Sequence, residues 1–128
     1  MKEYIHIKDV EIPLYKGKLV IVLTNSKSKL DKSIPNTSIT QEDLYAHAWY
    51  DNYKKKEAFI VILNFHDKCS ITNGVIAHEA LHIAGFIGSA RGIKADFNND
   101  EPMTYLTEWV VDQVHKFVKQ IKFKIVTK

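Results

Sequence analysis

One cysteine and one arginine stand among the 128 residues of this chain. A lone cysteine, Cys69, cannot close an internal disulfide, so the disulfide-stapled class of small secreted domain is excluded. The cytosol is the simplest compartment to expect. The lone arginine, Arg91, stands against 17 lysines in a chain of net charge +3. Arginine is the usual bidentate reader of phosphates and base edges, so its scarcity argues against a nucleic-acid partner. No apolar run approaches the length of a membrane span, and residues 1–8 carry no signal-like apolar region. No membrane partner is therefore expected. Internal repeats and low-complexity linkers are also missing, so residues 1–128 read as a single domain, long enough for a modest core.

What is present is an ordinary globular mixture, 45% hydrophobic and 26% charged. Residues 3–8 and 10–16 alternate weakly and suit strands; 18–24 form a stronger one. Gly17 marks a turn, so residues 10–24 suggest a hairpin. Residues 25–40, rich in Ser, Lys, Asn and Thr, read as a loop. A short helix is expected from 41 to about 48, then a turn, then a strand at 57–65. A helix should start near Thr72 or Asn73, both good N-caps, and run to about Gly88, with Gly92 as a stop. A last helix should start at Asn99 or Asp100, with Pro102 in its first turn, and run to about Lys122. The basic run at 54–56 and the basic tail at 119–128 read as a solvated turn and a solvated helix end.

Residues 78–82 read His-Glu-Ala-Leu-His, or H-E-x-x-H. On a helix the two histidines sit at i and i+4 and project from one face, about 40° apart. Two imidazoles so placed can hold one zinc ion, and Glu79 beside them can take a proton from a water. Val75, Ile76, Ala77, Ala80, Leu81, Ile83, Ala84, Phe86 and Ile87 make the surrounding helix apolar over most of its circumference, which predicts burial. Buried His, Glu and His need partners, and a metal would satisfy all three.

A catalytic zinc site needs a third protein ligand. Glu101 follows His82 after eighteen residues. The pattern H-E-x-x-H-x18-E resembles the gluzincin zinc peptidases, and the resemblance implies that His78, His82 and Glu101 hold the metal. The run from His78 to Gly85 also matches the opening of the metzincin pattern, which requires a histidine where this chain has Gly88. Asp96 and Asp100 are further acidic candidates, ranked below Glu101. Many gluzincins place an aspartate four residues after the ligand glutamate; here that position is Tyr105. Relative to Glu101, the residues Tyr105, Glu108, Asp112 and His115 share one line of the last helix, while Met103, Leu106, Val110, Val114, Phe117 and Ile121 form its core side. Glu108 or Tyr105 is therefore expected to orient a ligand histidine.

Residues 77–82 and 99–109 look like those of small zinc metallopeptidases of phages and phage-derived bacterial elements, over residues 58–120. The resemblance implies an α+β, minimal zincin-like fold. In it a small, mostly antiparallel sheet packs on an active-site helix and a C-terminal glutamate-bearing helix. It implies peptide-bond hydrolysis with Zn2+ as cofactor, Glu79 as general base, and Tyr105, Tyr50 or Tyr53 as a donor to the oxyanion. The partner would be a peptide or protein, and the strand at 58–63 is a candidate to bind it by edge pairing. Two other classes stay open: a non-catalytic zinc-stabilised module, and a regulatory protease with one protein target. His66 and Cys69 read as loop residues, His47 as packed, and His6 and His115 as surface.

Overall fold

The computed structural model describes residues 2–34, 46–64, 71–94 and 96–122. Among the described residues seven elements follow one another: β1 (Ile5–Glu11), β2 (Lys18–Thr24), α1 (Lys27–Ser33), β3 (Ala46–Tyr53), β4 (Lys56–Leu63), α2 (Asn73–Ala90) and α3 (Glu101–Gln120). The class is α+β. The sheet is mixed, in the order β1-β2-β4-β3, with β2 and β4 parallel and the outer pairs antiparallel.

Period-2 alternation divides β2 and β4 between two cores. Leu19, Ile21, Leu23, Phe59, Val61 and Leu63 face α2 and α3. Val20, Val22, Ala58, Ile60 and Ile62 face α1, which adds Leu30, and Ile34 just past its end joins them. Because both faces are covered, the two central strands are continuous apolar runs, as buried strands are.

The expected hairpin at 10–24 is there, but its first arm is one strand, β1, and residues 12–16 belong to the turn. Ile12 N–H donates to the Gly17 carbonyl at 3.0 Å, and Gly17 takes φ +85°. Residues 25–40 do not read through as a loop. Ser26 accepts a hydrogen bond from Lys29 N–H and caps α1, whose one buried residue is Leu30. The helix expected at 41–48 falls partly outside the described residues, and residues 46–48 belong to β3 instead. The strand at 58–63 has no free edge for a peptide, because β2 and β3 occupy both sides of β4. The outer strands are β1 and β3.

The β3–β4 connection is the two-residue turn Lys54-Lys55, with φ of 51° and 66°. Both residues sit in the left-handed region, which disfavours most L side chains and which Asn-Gly fills at little cost. The pair Lys54→Asn with Lys55→Gly should therefore stabilise the domain by about 1 kcal/mol, read as a higher urea midpoint with an unchanged slope.

Arg91 ties the end of α2 to the sheet. Its guanidinium pairs with the Glu57 carboxylate and donates to the backbone carbonyls of Tyr15 and Lys16. Tyr50 Oη also donates to Glu57, at 2.6 Å. Bonds from Arg91 and then from Tyr50 hold the Glu57 carboxyl below its ordinary value of 4.5. A depressed carboxyl contributes stability above its unfolded pKa and loses it as pH falls through its folded pKa. Arg91→Ala should cost about 1–2 kcal/mol at pH 7, discounted for the partial exposure of the pair. The gap to wild type should narrow below about pH 4, where Glu57 gains its proton in the unfolded chain and then in the folded one.

Candidate metal centre

α2 begins where the sequence places it: Thr72 accepts from Val75 N–H at 3.1 Å. Ile76, Ala80, Ile83, Ala84 and Ile87 bury one side against the sheet and α3. Contrary to the expectation of a buried helix, the opposite side is open. His78 and His82 are exposed, and Leu81 between them is 59% exposed. That open stripe is made of Gly74, Ala77, Leu81 and Gly85, residues that hydropathy counts as core-like but that no described element covers.

The H-E-x-x-H residues converge. His78 Nε2 and His82 Nε2 are 3.2 Å apart, with their rings edge to face at 4.9 Å between centroids. Two ligands of a tetrahedral zinc, each about 2.0–2.1 Å from it, lie about 3.3 Å apart. The separation is that of a hydrogen bond between the two rings, and it is also compatible with two donors on one metal ion. Ligand atoms of His78, Glu79 and His82 all lie within 4.8 Å of one another, which makes this a metal-compatible group.

Glu79 differs from its neighbours in being only 8% exposed. Burial pushes its carboxyl above the ordinary 4.5, and positive charge on His78 and His82 opposes this. No hydrogen bond or ion pair engages Glu79 among the described residues. A largely buried carboxylate with no hydrogen-bond partner, beside two imidazoles, is suited to accept a proton.

The structure does not bring Glu101 to this group. Glu101 is the first residue of α3 and is exposed. α3 packs back along α2: a Cβ at Gly88 would lie 2.9 Å from Met103 Sδ, so the start of α3 meets the end of α2. The core side of α3 is as expected, with Leu106, Val110, Val114 and Phe117 buried. A cavity of about 620 Å3 opens between the helices, lined by Leu81, Phe97, Met103, Thr104 and Thr107 together with the carboxylates of Asp96, Asp100 and Glu108.

The tyrosines fall elsewhere. Tyr105 is 65% exposed and lines a separate cavity with residues 12–15 of the β1–β2 turn. Tyr50 stacks on Phe59 at 4.7 Å and gives its hydroxyl proton to Glu57. Tyr53 packs into the second core. His47, on the α1 face of β3, has its pKa lowered by burial and, to a smaller degree, by His82. His115 is half-buried, and His66 and Cys69 lie outside the described residues. Among the described residues no helix is long and apolar enough to cross a membrane.

No protein-family model, curated protein or solved structure matches the chain. The functional reading therefore rests on the residues themselves.

Proposed function

We propose that this chain is a zinc-dependent metallopeptidase of minimal, zincin-like design. The observation that carries the reading is the pair of imidazole nitrogens 3.2 Å apart on an open helix face, with a buried carboxylate beside them. A closed structural site would have no use for the free carboxylate of Glu79.

His78 and His82 would hold the zinc, with a carboxylate from α3 as third ligand. Bound zinc supplies a Lewis acid that acidifies water and polarises a peptide carbonyl. Glu79 takes the proton of the attacking water and returns it to the leaving amine. Burial raises the proton affinity of Glu79 in the metal-free chain. The open face of α2 admits substrate. Among the described residues the outer edge of β3 is unpaired, and β3 is joined to α2 through Tyr50 and Phe86, whose ring centroids are 6.5 Å apart. An extended peptide pairing along that edge would pass the histidines.

The test is a peptide-library digest read by mass spectrometry. Zinc-loaded protein should cleave, chelation should stop it, and added zinc should restore it. Intact peptides with zinc-loaded protein would leave a non-catalytic zinc-stabilised module or a protease confined to one protein target.

A further inference from the structure

We propose that the cavity between α2 and α3 receives one side chain of the substrate, and that it takes a long cationic one, lysine or arginine. This rests on the peptidase reading above and names the substrate class that reading leaves open.

Position comes first. Leu81 forms part of the cavity wall. It adjoins His82 in sequence and follows His78 by three residues, and helix residues three apart are surface neighbours, about 5–6 Å between Cβ atoms. The cavity therefore opens beside the histidine pair. A peptide whose scissile carbonyl sits at that pair can lay an adjoining side chain over Leu81.

The lining sets the chemistry. Leu81, Phe97 and Met103 make the apolar wall. Leu81 is mostly exposed and Phe97 fully so, and neither packs into the two cores. Large apolar side chains left open around a cavity of about 620 Å3 suit the apolar stem of a ligand.

The charge is all of one sign. Asp96, Asp100 and Glu108 line the cavity, no lysine or arginine does, and among the described residues no ion pair engages the three. The chain as a whole has net charge +3. Local duties account for two of the carboxylates. Asp96 accepts from Asn98 N–H at 2.9 Å, and Asp100 is the N-cap residue of α3, where negative charge suits the helix dipole. Glu108 lies beyond the first turn of α3 and has neither duty; it borders this cavity and the one beside Tyr105. Lysine and arginine match such a lining. Their stems lie along apolar surface while the charged head stays in water, here among the carboxylates. A glutamate side chain would meet like charge.

The experiment is binding of short peptide hydroxamates to the zinc-loaded full chain. The hydroxamate takes the metal, so no turnover is needed. The side chain beside it is varied among lysine, arginine, norleucine, glycine and glutamate. Lysine and arginine should bind about fivefold or more tighter than norleucine, since one exposed ion pair is worth up to about fivefold. Norleucine should bind tighter than glycine, and glutamate weaker than norleucine. The lysine advantage should shrink as salt is raised. In Asp100→Asn with Glu108→Gln it should fall to within about twofold of norleucine, and Glu108→Lys should move the preference toward glutamate. Asp100 makes no side-chain cap bond and Glu108 is exposed, so circular dichroism of both variants should superimpose on wild type. Equal binding of lysine, norleucine and glutamate, or a lysine preference untouched by the variants, would overturn the assignment and leave the zinc reading standing. Absence of zinc uptake by wild type would overturn both.

Discussion

Glu79→Gln is expected to lower kcat/KM by roughly a hundred- to ten-thousand-fold, the usual contribution of a positioned general base. Glutamine keeps the size and hydrogen-bonding reach of the side chain and cannot accept a proton. Zinc content should stay at one per chain, because the histidines supply the ligands and Glu79 sits buried to one side of them. The fold should respond in the opposite sense. Burial holds the folded carboxyl above 4.5, so stability falls as pH rises from the unfolded pKa through the folded one. At neutral pH the ionised side chain therefore costs stability, and glutamine removes that cost. Metal-stripped Glu79→Gln should melt at or above the temperature of metal-stripped wild type. A variant that melts higher and turns over a hundredfold or more slower is what a functional carboxylate predicts; a purely structural one predicts a lower melt. Zinc loss in Glu79→Gln would instead make Glu79 a ligand, and retained turnover would remove it from the chemistry.

His78→Ala and His82→Ala carry the second large effect. Each should abolish tight zinc binding, and with it the stability that binding confers. A ligand held at a thousand times its Kd stabilises the folded state by about 4 kcal/mol. For a chain of this size that is on the order of 10 °C in Tm. Zinc-saturated wild type should therefore melt about 10 °C above its chelated form, whereas either histidine variant should show no zinc-dependent shift. Both side chains are exposed, so the metal-free variants should melt close to metal-free wild type. A zinc-dependent shift that survives both substitutions would place the metal elsewhere.

The fold was legible where local chemistry and tertiary demand agree. Thr72 capping α2, Pro102 opening α3 and the apolar runs of β2 and β4 each point one way. It was illegible where one weak signal had to be weighed against composition. α1 is seven residues with a single buried side chain, Leu30, so its polar surface looks like loop. β3 alternates Ala46, Ala48 and Tyr50 with His47 and Trp49, a contrast too shallow to separate strand from helix without its partner β4.

The site divides in the same way. His78, Glu79 and His82 lie within five residues, and helical geometry alone brings them together. Whether a residue of α3 reaches them is a different kind of question. Sequence spacing counts residues through the connection at 91–100, and the answer depends on where α3 docks. That is set by Gly88, whose missing side chain lets Met103 approach. A spacing of eighteen residues points to Glu101, and the structure does not bring Glu101 to the histidines. The open face of α2 was misread for a related reason. Gly74, Ala77, Leu81 and Gly85 score as apolar, yet three of them are small, and nothing in the described fold lies over them.

The most direct test of the central claim is the zinc content of the full chain purified without added metal, followed by titration of the stripped protein. One zinc per chain, taken up again after stripping, is the predicted result. A chain that holds no zinc and takes none up would contradict the account, leaving His78 and His82 as ordinary exposed residues of an α+β domain.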